Sequence, residues 1–161
     1  MLTLLSEEPG EIAQFRAEPW PFQQTFKTPL KELHRFVSIF LTPFSFAEGV
    51  VSTDEVVFEP KNILHLLANN SLSVEDQYHF MIRAVGQQAI VDLLEATLAD
   101  WIDFVFLPSP QAMAIYADHD EYTTFYAPDN ATLEDLGSGL TKAGFEAVLD
   151  YRRGCSEDGW R

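Results

Sequence analysis

Trp101-Ile-Asp-Phe-Val-Phe-Leu107, closed by Pro108-Ser-Pro110, is followed by Ala112-Met-Ala-Ile-Tyr-Ala117 and Tyr122-Thr-Thr-Phe-Tyr-Ala127, with Asp118-His-Asp-Glu121 between the last two. In these runs the apolar period changes from 3.6 to 2, and the residues between them favour turns. Three strands are predicted, the second and third joined as a hairpin.

Outward from this stretch the chain reads mostly as helix. Downstream, Asn130 is a candidate cap for a helix with Leu133, Leu136, Leu140 and Ala143 on one face, and Gly144 fits the left-handed position that ends it. A last strand is predicted over Phe145–Tyr151. Upstream, Ser73 with Asp76 three residues on suggests a capped helix running to Leu98 through Met81, Ile82, Val85, Ala89 and Leu93, with Gly86 inside. Pro60 opens a short helix through Ile63, Leu64 and Leu67. Val50-Val51 and Val56-Val57-Phe58, separated by Ser52-Thr53-Asp54-Glu55, suggest a short hairpin. Thr28 and Pro29 start a helix with Leu33, Phe36, Val37, Phe40 and Leu41 on its stripe. Helices before strands argue an α+β fold: N-terminal helices packed on a small antiparallel or mixed C-terminal sheet ordered strand, hairpin, helix, strand. One domain over 1–161 is expected, with residues 1–27 an irregular arm (a short helix possible over Pro9–Arg16) and 154–161 a polar tail.

The 161 residues are 47% hydrophobic and carry 25 Asp and Glu against 10 Lys and Arg, a formal charge of −15. That apolar fraction suits a packed core rather than a disordered chain. The charge excludes electrostatic binding to nucleic acid and disfavours docking on an anionic membrane. The single cysteine, Cys155, leaves the fold independent of disulfides. Met1–Gly10 does not read as a signal peptide, and no apolar run approaches the roughly 20 residues needed to span a bilayer, so a cytoplasmic protein is expected.

The charge is unevenly placed. Between Arg83 and Lys142 there is no lysine or arginine, and ten carboxylates stand there: Asp92, Glu95, Asp100, Asp103, Asp118, Asp120, Glu121, Asp129, Glu134 and Asp135. Such a run is either a solvated face or a docking face for a basic partner, where complementary charge speeds association. Asp118-His119-Asp120-Glu121-Tyr122 is the most chemical-looking segment. It reads as a turn, as a partner-contact loop, or as a metal or general-base site built on Asp118, His119 and Asp120. His34, His65 and His79 read as isolated helical histidines without metal-ligand spacing. Ser109 sits in no nucleophile elbow, and Gly137-Ser138-Gly139 falls inside a helix rather than after a strand. No catalytic residue, metal ligand set or cofactor is assigned. Tyr116, Tyr122 and Tyr126 on the hairpin are candidate interface residues.

A small, cysteine-poor, strongly acidic α+β chain with the hairpin Met113–Tyr126 resembles the bacterial immunity proteins, which neutralise a cognate toxin by covering its basic groove. The resemblance implies a tight protein partner, often a nuclease, and no turnover. On the charge pattern, the partner-binding residues are expected to be Asp118, Asp120, Glu121 and Tyr122 on the turn, with Asp100 and Asp103 as nearby steering charges. A regulatory interaction module with an incidental acidic surface is the remaining reading.

Overall fold

The structure, a computed structural model, describes residues 1–151. The predicted polar tail and Cys155 lie outside the described residues. The first of the three decisive strands is β5 (Asp103–Ser109), followed by β6 (Ala114–Ala117) and β7 (Tyr122–Ala127), paired antiparallel as an unbroken meander. Alternation gives this ribbon two apolar faces. Phe104, Phe106, Ile115 and Phe125 enter one core, and Val105, Ala114, Tyr116 and Tyr126 enter another.

The remaining strands come from the first half of the chain and from its end. They are β1 (Leu2–Leu4), β2 (Phe22–Lys27), β3 (Glu48–Glu55), β4 (Met81–Val85) and β8 (Ala147–Val148). The order across the sheet is β1-β4-β3-β5-β6-β7-β2-β8, and every pairing is antiparallel. The fold is α+β, but the sheet is neither small nor C-terminal. The arm expected to be irregular supplies β1 and β2, and the short helix read over Pro9–Arg16 is there as α1 (Gly10–Ala17).

Four helices cover the Phe104 face: α2 (Leu33–Leu41), α3 (Lys61–Asn69), α4 (Gln87–Ala99) and α5 (Asn130–Lys142). Their junction with the sheet is aromatic. Phe125 meets Phe26, Phe36 and Phe40 at ring-centroid distances of 5.0–6.3 Å, tilted or edge-on. Each such pair adds about 0.5–1.5 kcal/mol beyond the area it buries. On the opposite face α1 lays Ile12 and Phe15 over Val50, Val105 and Tyr126.

Four local expectations are corrected. The predicted hairpin over 50–58 is one long central strand, β3. Its polar centre is satisfied where it lies: Thr53 exchanges hydrogen bonds with Phe80, and the Ser52 hydroxyl donates to Glu8. The predicted helix over 73–98 is a loop, then β4, then α4. Met81-Ile-Arg-Ala-Val85 satisfies period 2 as well as 3.6, and pairing on both sides decides for strand. Gly86, at φ 99°, takes a left-handed turn that no helix interior contains. The predicted last strand shrinks to Ala147–Val148. Asp129, not Asn130, caps α5, accepting the Thr132 N–H at 2.8 Å, while Gly144 has the expected positive φ.

Candidate functional site

The end of the sheet that holds the β6–β7 turn also holds the end of β3, the start of β5 and the end of β2. The register places Glu55 opposite Asp103, Phe104 opposite Ala117, and Lys27 opposite Tyr122. A bulge between Thr53 and Glu55 re-aims the last residue of β3 toward the start of β5.

The turn is internally braced. One Asp118 carboxylate oxygen accepts the N–H groups of Asp120 (2.9 Å) and Tyr122 (3.1 Å). The other accepts the Tyr151 hydroxyl, and the Tyr151 ring packs on Tyr122 at 4.7 Å. Burial pushes the Asp118 carboxyl above the usual carboxylate range, although these donors pull the other way. The Tyr151 phenol is pushed up by burial and by the Asp118 carboxylate it bonds. Asp118 therefore holds the turn together, while Asp120 is exposed and Glu121 and Tyr122 are half-buried.

Asp103 is 6% exposed, at the start of β5. Its Oδ1 accepts the backbone N–H of His119 and the ring Nδ1–H, both at 2.7 Å, and the Tyr116 hydroxyl stands 3.5 Å from Oδ2. A carboxylate can only accept, so the Nδ1 proton is fixed and Nε2 faces outward. The hydrogen bond to Asp103 raises the His119 pKa against a smaller opposing effect of burial. Nε2 lies 3.9 Å from Asp120 Oδ1. A carboxylate-oriented imidazole of this kind can hold a proton or bind a metal.

Asp100 sits apart from this group. It is 5% exposed and accepts from the backbone of Asn62 and Ile63 at the start of α3. Its charge is engaged inside the fold. Like Asp103, it is poorly placed to steer a partner from solvent. Tyr116 and Tyr126 are core residues of the α1 face, which leaves Tyr122 as the accessible tyrosine of the hairpin. His34 lies on α2 against Glu95, His65 lies on α3, and His79 lies in the loop before β4 rather than on a helix.

The ten carboxylates of the second half do not form one face. Asp92 and Glu95 lie on α4, Asp129 caps α5 and Glu134 and Asp135 lie in its first half, and Asp118, Asp120 and Glu121 lie at the turn. The turn and the start of α5 stand at opposite ends of β7, roughly 20 Å apart at the rise of a strand. What the sheet does bring together is Glu55, Asp103, Asp118, Asp120 and Glu121. Among the described residues, no lysine or arginine forms an ion pair with any of the five. Neighbouring Asp54 is neutralised by Arg16 of α1. Sequence reasoning missed Glu55, which looked like part of a turn; only its pairing with Asp103 reveals it.

No family model matches this chain, and neither curated proteins nor solved structures gave a match. No helix among the described residues is long and apolar enough to cross a membrane.

Proposed function

We propose that this chain is an acidic binding protein that neutralises a basic partner, acting in the bacterial cytoplasm as the immunity protein of a cognate toxin. The observation that carries the reading is the sheet end itself. Asp120 and Glu121 sit on a turn braced from within by Asp118 and Asp103, with Glu55 at the neighbouring end of β3, and none of the three has a lysine or arginine paired to it among the described residues. Like charges held together without counter-ions cost energy in the free protein, and a basic partner relieves that cost on binding. The geometry is pre-organised, so little order is lost when the partner arrives. Tyr122, half-buried against Tyr151, supplies an aromatic anchor beside the acids. The partner of this reading is a toxin domain with a basic cleft, a nuclease being the fitting kind, and no turnover is involved.

The test is affinity capture from the source cells with the wild type and with Asp120→Lys/Glu121→Lys, at low and high salt. One stoichiometric basic protein should be captured by the wild type, released by salt and missed by the double variant. Expressed alone it should be toxic, and co-expression of this chain should rescue growth. An identical capture profile for both proteins removes the sheet end from the model of binding, and a harmless captured protein removes the neutralising role.

A further inference from the structure

We infer that Glu55, Asp103 and His119 form a binding site for one divalent transition-metal ion, of the zinc or manganese class. The inference stands whatever partner the protein has. The three residues come from three elements: the end of β3, the start of β5 and the β6–β7 turn. One donor atom of each lies within 4.8 Å of the other two. Donors on a single ion at about 2.1 Å stand roughly 3–4 Å apart, so small side-chain rotations close the set. The bulge in β3 turns Glu55 toward the other two, and a regular strand would point it elsewhere.

An imidazole separates this group from an ordinary patch of surface acids. His119 stands against a buried carboxylate, its Nδ1 2.7 Å from Asp103 Oδ1, and an ion held by both would take the place of the Nδ1 proton between them. Asp103 Oδ2 takes the Tyr116 hydroxyl at 3.5 Å. A carboxylate this deeply buried, with no lysine or arginine paired to it among the described residues, is stabilised by a cation. Glu55 is exposed and His119 is partly exposed, so an ion can enter from solvent and complete its shell with water. One nitrogen and two carboxylate donors favour zinc, manganese or iron(II) over magnesium and calcium, which prefer oxygen alone. A bound ion would tie the ends of β3 and β5 to the hairpin turn.

The experiment is calorimetric titration of the metal-free full chain with zinc, manganese and magnesium chlorides, with thermal melting in each ion. The wild type should bind one zinc or manganese ion per chain and melt at a higher temperature, because the ion binds the folded state. Glu55→Gln, an exposed change that keeps the metal-free melting temperature, should weaken binding at least tenfold. His119→Ala should abolish binding, and Cys155→Ser should leave it intact. The site is refuted if neither ion binds saturably, if Glu55→Gln binds as tightly as the wild type, if Cys155→Ser removes the binding, or if magnesium binds as well as zinc.

Discussion

Asp100→Ala should cost about 2–4 kcal/mol of stability, although the residue lies far in sequence from the helix it serves. Helix α3 begins after Pro60, which has no side-chain oxygen to offer, and no side chain at that position caps the helix. The N–H groups of Asn62 and Ile63 at its first turn would be orphaned. Asp100 accepts both, at 3.0 and 2.8 Å, and takes the Asn62 side-chain amide at 2.8 Å as well. It is a cap supplied from the end of α4, and its negative charge also suits the positive end of the α3 dipole. Loss of a cap costs about 0.5–2 kcal/mol. Leaving the buried Ile63 N–H without an acceptor adds about 1–3 kcal/mol, partly overlapping the first cost. Asp100→Asn keeps one acceptor oxygen and should cost about half as much. Urea unfolding followed by circular dichroism reads the change. With a slope near 2 kcal/mol/M, the midpoint should fall by roughly 1–2 M at unchanged slope. A loss below about 0.5 kcal/mol for the alanine variant would refute the capping argument. If the fold held and association with a basic partner slowed instead, Asp100 would be the steering charge that its position in the sequence suggested.

Other positions give further expectations. Gly49→Ala should cost about 1–3 kcal/mol, because a Cβ there would stand 2.4 Å from the fully buried Phe106 ring and 3.3 Å from Pro108 Cα. At Gly137 the three atoms nearest a new Cβ all belong to the Gln24 side-chain amide, the far end of a flexible chain that can swing aside, and alanine suits a helix interior by about 0.5–1 kcal/mol; urea midpoints moving in the same direction for both variants would refute this contrast. His119 is easier to protonate in the folded protein than in the unfolded chain, so its contribution to stability is fully present below about pH 6.5 and is lost as pH rises through the higher folded value. Melting temperature should therefore fall across that window in the wild type and less steeply in His119→Gln, and an NMR titration placing the His119 pKa at or below the ordinary value would refute the role given to Asp103.

Period and turn chemistry made the meander and its neighbours legible. Phe104, Phe106, Ile115 and Phe125 alternate in sequence and alternate in the sheet, and the residues at Asp118–Glu121 suit the turn they make. Gly144 and the stripe of Leu133, Leu136 and Leu140 read equally directly. Legibility failed where two periods fitted one segment. Met81–Val85 places Ile82 and Ala84 inward as a strand, yet also continues a helical stripe toward Ala89 and Leu93. The sequence contains nothing local that chooses; β1 and β3, pairing from far along the chain, do. The arm was harder still. Leu2–Leu4 and Phe22–Lys27 lie toward the two edges of the sheet, where few core residues announce a strand.

Charge along the sequence misleads for a related reason. Counting acids along the chain treats every carboxylate as a surface charge, but a fold spends some of them internally. Asp100 satisfies a helix terminus, Asp103 orients an imidazole, Asp129 caps α5 and Asp118 braces a turn. Each is explained by donors within a few ångströms and needs no partner. Glu55 is the converse case. It belongs to the first half of the chain and looked like turn composition, yet a single bulge sets it against Asp103 and the His119 turn. What distinguishes this end of the sheet is therefore not the number of acids in a stretch of sequence but the convergence of three strand ends on one imidazole. That convergence is a property of register, and register is set by the hydrophobic pattern of whole strands.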